Sequence, residues 1–430
     1  MEDRIEELGI VGAGGAGFPT AAKLRLQVPL VIVNGAECEP LLHKDKGLLE
    51  REAAAMLRGL AVAMERTGAS EGVLAVKGKY GGILSALAKQ AGPGVRVFPL
   101  SDTYPAGDEF ILVHDVTGRV IPPGGLPRDV GAVVLNVETL VNIGLDRPVT
   151  HKYLTVAGAV RTPVTLRVPV GMAISEVIEA AGGATVADFG VLIGGVMMAR
   201  PALRLDEPVT KTTGGLVVLP PGHPLLCRHR RKWEHAERIG KSACDQCRFC
   251  TELCPRYLLG HPIEPHRTMQ ALGFTGAQGC SVGGAAYCSE CNLCSLFSCP
   301  EDLDPKAVCA RSKQEARKTG PALPGSDTRP HPMAEWRRVP TRRLKARLGL
   351  TVFADLGPLE DRPLAPRRVE LPLRQHAGAT AVPVVRSGER VRPGDVVAAP
   401  AEGTLGARIH ASIAGVVTSV DASVVIEAHA

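Results

Sequence analysis

Cys244-Asp245-Gln246-Cys247-Arg248-Phe249-Cys250-Thr251-Glu252-Leu253-Cys254-Pro255 sets three cysteines at a spacing of three and holds a fourth just before a proline. Cys288-Ser289-Glu290-Cys291-Asn292-Leu293-Cys294-Ser295-Leu296-Phe297-Ser298-Cys299-Pro300 repeats the pattern, with one extra residue before its last cysteine. Three thiolates so spaced wrap one face of a four-iron cube. The fourth cysteine, stopped by the proline, turns away and ligates the other cluster. Crossing over assigns Cys244, Cys247, Cys250 and Cys299 to one [4Fe–4S] cluster. Cys254, Cys288, Cys291 and Cys294 hold the other. Tetrahedral zinc would take two separated cysteine pairs and leave a third cysteine of each run unexplained. Cys38, Cys227, Cys280 and Cys309 remain. They read as small buried hydrophobes, with Cys280 and Cys309, beside the second run, as lesser alternatives for ligation.

The rest of the composition agrees with redox chemistry. Twelve cysteines in a chain whose acidic start, MEDRIEEL, has no apolar signal core point to metal or redox work rather than disulfides. A cytoplasmic location is therefore expected. At 430 residues the chain exceeds one hydrophobic core, and 45% apolar content excludes wholesale disorder. No apolar run approaches the roughly 18 residues of a membrane span. A net charge of +6 does not mark a nucleic-acid binder.

Upstream of the cysteines the pattern alternates between strand and helix. Val31 to Val33, Val73 to Val76 and Val95 to Phe98 read as strands; Lys46 to Arg66 and Ile83 to Ala91 read as helices. This predicts an α/β domain over 1–150 with a largely parallel sheet. Residues 151–222 read as a small α+β unit, and 235–320 as a short-helix domain around the clusters. A Pro- and Arg-rich linker spans 321–365, either solvated or a docking surface for an acidic partner. Short strands over 366–430 predict a β-barrel or sandwich. No lysine follows Lys345, so that domain lacks the attachment point of a biotinyl or lipoyl carrier.

Gly12-Ala13-Gly14-Gly15-Ala16-Gly17-Phe18-Pro19-Thr20 follows the apolar pair Ile10-Val11. Glycines there let backbone amides approach an anion, although a ligand-free glycine turn fits the same letters. Lys23 lies one turn into the next helix, within reach of a phosphate. The strand ending at Val33 releases Asn34, Glu37 and Glu39, which serve as a cofactor's hydrogen-bonding partners or as turn charges. Tyr104-Pro105-Ala106-Gly107-Asp108-Glu109 and Asn136-Val137-Glu138-Thr139 fall likewise at strand ends, where ligands of parallel sheets bind.

In that order these runs resemble the flavin- and NADH-binding 51 kDa subunit of respiratory complex I. Val120 to Pro127, Pro208 to Gly215 and the paired cysteine–proline runs are more closely similar to another family. It comprises RnfC, a component of the Rnf electron-transport complex, and the PduS cobalamin reductases. Residues 152–220 resemble its SLBB β-grasp module, and Leu373 to Gly378 through Gly415 to Val417 its barrel-sandwich hybrid domain. That last domain stands at the N-terminus in RnfC. Its place here, after the clusters, is the PduS order.

The resemblance implies a multidomain α/β iron–sulfur flavoprotein that oxidises NADH through FMN and two [4Fe–4S] clusters. Gly12, Gly14, Gly15, Gly17, Lys23, Asn34, Glu37, Tyr104, Asn136 and Thr139 would hold FMN. Phe18 and Glu39, with Gly107, Asp108 and Glu109, would receive NADH. The acids among them would repel the 2′-phosphate of NADPH. No side chain is required as an acid–base catalyst, because the flavin carries the chemistry. A corrinoid or a corrinoid-handling protein is the implied acceptor, in a setting that includes the enzymes or shell of a bacterial microcompartment. The alternatives are the peripheral NADH-oxidising subunit of an Rnf-like membrane complex, or an electron-transfer adaptor without NADH activity.

Overall fold

The computed structural model describes residues 3–274, 282–319 and 328–428. Its first sheet is fully parallel, in the order Val95–Leu100, Glu71–Lys77, Leu30–Gly35 and Ala132–Asn136. Val31, Ile32 and Val33 are wholly buried, as expected of a strand covered on both faces. Register aligns Asn34 with Asn136 on neighbouring strands, so both amides reach the carboxyl edge of the sheet together. The helical pattern from Lys46 to Arg66 is broken into Lys44–Arg51 and Ala53–Thr67, because Glu52 leaves helical geometry.

Helix Ala53–Thr67 packs on helix Val137–Leu145 almost backbone to backbone. A Cβ on Gly59 would collide with the Leu140 carbonyl, and one on Gly144 with the Ala55 carbonyl. This close crossing fixes the start of Val137–Leu145, whose cap is Asn136, its side chain accepting from the Glu138 amide. A packing choice far from the sheet edge thus orients a candidate cofactor residue.

The second unit is a six-stranded mixed sheet built on His151–Gly158, Val164–Pro169, Gly190–Ile193 and Gly215–Leu219, with helix Ile174–Ala180 over its core. Short helices then carry the two cysteine runs between Trp233–Ala243 and Pro305–Thr319. The chain ends in two small sheets facing each other across a common apolar core.

The stretch read as a linker is docked where it is described. Val339–Pro340 pairs with Thr103–Tyr104 of the first unit, and Leu359–Glu360 adds an edge strand to the second. Helix Thr341–Arg347 lies between them and buries Leu344. Arg338 clamps Asp115 through both guanidinium nitrogens, at 2.5 and 2.7 Å. Two-residue strands have no periodicity of their own, which is why composition alone suggested a solvated strap. No described helix is long and apolar enough to cross a membrane.

Candidate flavin cavity and iron–sulfur site

A cavity of about 580 Å³ opens at the carboxyl edge of the parallel sheet. Gly14, Gly15, Asn34, Glu37, Glu39, Tyr104, Gly107, Asp108 and Asn136 all line it. Asn34 donates to the Gly107 carbonyl at 2.9 Å, tying the first strand to the Tyr104–Asp108 turn. A Cβ on Gly14 would stand 3.0–3.1 Å from the Asn136 side chain, whereas one on Gly15 would enter open space. The glycine loop is therefore shaped to admit a ligand against bare backbone.

Six other residues from the same motifs lie behind or beside this lining. Gly12 closes the loop, its amide donating to the Phe18 carbonyl at 2.9 Å, while the Phe18 ring is largely exposed. The Thr139 hydroxyl accepts from the Ala13 amide at 3.0 Å and holds the loop from beneath. Gly17, at φ 73°, is wedged against Thr212 and His376 of the two downstream β units. Lys23 pairs with Glu109 at 2.8 Å.

The acids also have partners. Glu39 accepts from the amides of Val196, Met197 and Met198 at 2.8, 2.8 and 3.0 Å, a link to the β-grasp unit. Asp108 caps helix Glu109–Thr117 and pairs with Arg256 of the cysteine-bearing unit at 3.0 Å. The expectation that Glu39, Asp108 and Glu109 repel a 2′-phosphate thus loses its physical basis: Asp108 and Glu109 are paired with cations and Glu39 is held by three amides.

Beneath the cavity lies a buried charge network that the sequence reading did not single out. Lys44 reaches Asp45 at 2.6 Å and Glu138 at 3.0 Å, and Lys152 pairs with Glu138 from the other side. Asn136 donates to Asp45 at 2.9 Å. Burial opposes charge on Lys44, but Asp45 and Glu138 more than offset it and hold its pKa above the ordinary value. Burial also opposes the Glu138 carboxylate, and Lys152 and Lys44 keep it below its usual range. Lys152, brought down to about 8 by burial against the pull of Glu138, stays protonated at neutral pH. The signal was the polar run His43-Lys44-Asp45-Lys46 following the apolar pair Leu41-Leu42, with Glu138 inside a motif already noted.

Glu37 accepts from the amides of Asp45 and Lys46 at 2.7 and 3.0 Å. Burial, then the charge of Asp45, raises its pKa to about 6. An acid whose folded pKa lies above its unfolded value stabilises the fold when protonated and loses that contribution as pH rises. Stability of the cofactor-free chain is expected to fall between pH 4.5 and 6 by about 2 kcal/mol on account of Glu37. Urea titrations of the parent and Glu37→Gln across that range should differ by this slope; parallel curves would contradict it.

The cysteine runs fold as near copies. Gln246 and Arg248 flank Cys247 with φ of 61° and 68°, and Glu290 and Asn292 flank Cys291 with φ of 60° and 65°. These left-handed steps curl each run so that its thiols converge. Cys244, Cys247, Cys250 and Cys299 line one small cavity. Burial, followed by the thiols of Cys288, Cys291, Cys254 and Cys250, pushes Cys294 well up. Cys254 rises to about 12 for burial and its closeness to Cys288, among other causes. The structure thus brings Cys244, Cys247, Cys250 and Cys299 to one cavity, while Cys291 lies at the cavity lined by Gly14 and Asn136. Among the described residues no three His, Cys, Asp or Glu side chains converge as around a single ion. Ligands of a four-iron cube stand further apart, each on its own iron. The donor set fits two such clusters.

Cys38 lines the flavin-side cavity as a protonated thiol, pushed up to about 12 by burial. Cys227 is exposed, and Cys280 lies outside the described residues. Cys309 is fully buried.

The two sites share a wall. Cys291 and Ser289 border the same cavity as Gly14 and Asn136, and the Tyr104 hydroxyl donates to the Cys291 carbonyl at 2.7 Å. A glycine-lined cavity at a parallel-sheet edge, abutting paired four-cysteine sets, defines an iron–sulfur flavoprotein.

Comparisons with known proteins agree. Residues 5–145 match the Nuo51 FMN-binding domain, 153–201 the SLBB domain, 243–304 the 4Fe-4S dicluster domain and 357–430 the RnfC barrel sandwich hybrid domain. The chain is 45% identical to cobalamin reductase PduS of Salmonella typhimurium, over 98% of this chain and 94% of that protein. It is 43% identical to the Citrobacter freundii protein of that name over the same shares. One component of the Na(+)-translocating ferredoxin:NAD(+) oxidoreductase complex of Acetobacterium woodii is 35% identical over 60% of this chain and 58% of its own length. An NAD+-reducing [NiFe]-hydrogenase shares the fold, with a TM-score of 0.51 at 22% identity over 74% of this chain and 67% of the matched one. The chain belongs to the PduS cobalamin reductase family.

Proposed function

We propose that this chain oxidises NADH and delivers single electrons to a corrinoid or a corrinoid-handling protein. The carrying observation is the shared wall, which brings Cys291 to the cavity lined by Gly14, Gly15 and Asn136. FMN, when bound, takes a hydride as two electrons and returns them one at a time, and four-iron clusters carry them singly. Gly14, Gly15, Asn34, Glu37, Tyr104 and Asn136 would hold the flavin. Gly12, Gly17 and Thr139 would shape its loop, and Lys23 would act through its pairing with Glu109. NADH would approach past Gly107, Asp108 and Glu39, with the exposed Phe18 beside the glycine loop.

Cys254, Cys288, Cys291 and Cys294 would hold the flavin-side cluster, since Cys291 is at the cavity. Cys244, Cys247, Cys250 and Cys299 would hold the outer one, where Cys247 is exposed. The two relatives named cobalamin reductase PduS, matched along nearly their whole length, support a corrinoid acceptor; a place within a bacterial microcompartment is part of the same proposal. An Rnf-like role is less well supported: the Acetobacterium relative matches 60% of this chain, and the barrel-sandwich domain here follows the clusters. Anaerobic protein with NADH should reduce cobalamin, and the rate should vanish when either reagent is omitted. Co-purification with membrane subunits, without cobalamin reduction, would instead favour the Rnf-like reading.

A further inference from the structure

The flavin cavity has a second side, built by the β-grasp unit. Gly194, Arg200, Thr210, Thr212, Thr213 and Gly214 line it there. A Cβ on Gly194 or on Gly214 would meet no atom within 4 Å, so bare backbone faces the opening here as it does at Gly15. The Thr210 hydroxyl is hydrogen-bonded to those of Thr212 and Thr213, each at 3.1 Å. Three hydroxyls and a bare glycine in one tight loop make a surface suited to an anion.

The loop is bolted in place. Lys211, buried, donates to the carbonyls of Gly9 and Arg408 at 2.7 and 2.6 Å, and its amide donates to the Gln375 side chain at 3.1 Å. The Thr212 methyl lies so close to Gly17 that a Cβ there would stand 2.7 Å from it. Residues 210–214 are thus fixed beside the glycine loop, with Lys211 as a positioning residue.

Charge divides the cavity in the same way. The acids that line it, Glu37, Glu39, Asp45 and Asp108, all come from the first unit. Among the described residues, the β-grasp side adds no carboxylate to the lining and one cation, Arg200. Arg200 is half exposed and pairs with Glu207 at 2.6 Å, which takes only part of its five-donor fork. Lys23, which the sequence put within reach of a phosphate, is held by Glu109 at 2.8 Å, outside the lining.

We propose that the 210–214 loop and Arg200 form a phosphate-binding wall of this cavity. This rests on the flavoprotein reading above. Two ligands of that reading carry phosphate: FMN at the end of its tail and NADH in its pyrophosphate. The contact of Thr212 with Gly17 sets the wall beside the glycine loop, and FMN is the expected occupant.

Gly214→Asp and Gly214→Asn test the wall, because the two side chains share a shape and differ in charge. Neither Cβ meets protein, so both variants should fold. Full-length protein, purified anaerobically and freed of flavin, is titrated with FMN and with riboflavin, which lacks the phosphate. Gly214→Asp should bind FMN about tenfold more weakly than Gly214→Asn, and the two should bind riboflavin alike. Arg200→Gln should weaken FMN and spare riboflavin. In a second arm, flavin-loaded protein is assayed with NADH and with 1-benzyl-1,4-dihydronicotinamide, which has no phosphate. Equal FMN binding by the two Gly214 variants, with a KM for NADH about tenfold higher in Gly214→Asp and none for the phosphate-free donor, would uphold the wall and assign it to the dinucleotide. Equal behaviour of the two variants toward all four ligands would overturn the proposal alone. A parent protein that binds neither FMN nor riboflavin would strike the flavoprotein reading, and the wall with it.

Discussion

Cys291→Ala is expected to cut the iron content from about eight to about four per chain, because one four-iron cluster loses a ligand. Flavin content should hold. The cavity wall at this point is tied by the Tyr104 hydroxyl to the Cys291 backbone carbonyl, which the substitution leaves in place. NADH should still reduce the flavin, while reduction of a one-electron acceptor should fall to background. Cys247→Ala, in the outer set, should lose a similar amount of iron. Cys38→Ala should lose none, since Cys38 belongs to neither set. Iron analysis with flavin quantitation on the three variants checks this; zinc in place of iron and sulfide in the anaerobic parent would end the cluster reading.

Gly14→Val is expected to abolish flavin binding while leaving both clusters. Its Cβ alone would come within 3.0–3.1 Å of Asn136, and two methyls would project further into the cavity or its wall. Crowding Asn136 also strains the cap of helix Val137–Leu145, at a cost typical of overpacking, about 1–3 kcal/mol. Gly15→Ala separates the two effects. No protein atom lies within 4 Å of its Cβ, so its stability should stay within about 0.5 kcal/mol of the parent. Any loss of flavin in that variant is then a clash with the ligand itself. Full flavin occupancy in Gly14→Val would remove the glycine loop from the site.

What the sequence made legible was whatever is local. The thiol spacing is a ruler for one cluster, and the left-handed residues around Cys247 and Cys291 fold that ruler as its chemistry requires. Alternating apolar runs announced the parallel sheet, and strand ends announced Asn34 and Asn136. The partners of charged residues were not legible. Glu39 finds three amides more than 150 positions away, Asp108 finds Arg256, and Lys23, read as within reach of a phosphate, pairs with Glu109. A carboxylate in a turn looks the same in sequence whether it faces solvent, a ligand or a distant cation.

The same limit hid the Lys44–Asp45–Glu138–Lys152 network, whose members are tolerable in the interior only because the fold brings them together. It also hid the roles of the downstream units around the glycine loop. Gly17 rests on Thr212 and His376, the Ala377 amide donates to the Ala16 carbonyl at 2.9 Å, and Lys211 donates to the carbonyls of Gly9 and Arg408 at 2.7 and 2.6 Å. The β-grasp and barrel-sandwich units thus clasp the cofactor loop from outside. This gives the C-terminal domain a physical task that its missing lysine had left open.

In the proposed reaction NADH is the donor, and electrons pass from the flavin toward the clusters. Anaerobic stopped-flow mixing with NADH tests it most directly. Bleaching of the flavin band followed by loss of the broad cluster absorbance is the expected order. A flavin that stays oxidised under NADH, in protein whose clusters are filled by reduced ferredoxin or flavodoxin, would contradict the claim and make the chain an electron-transfer adaptor.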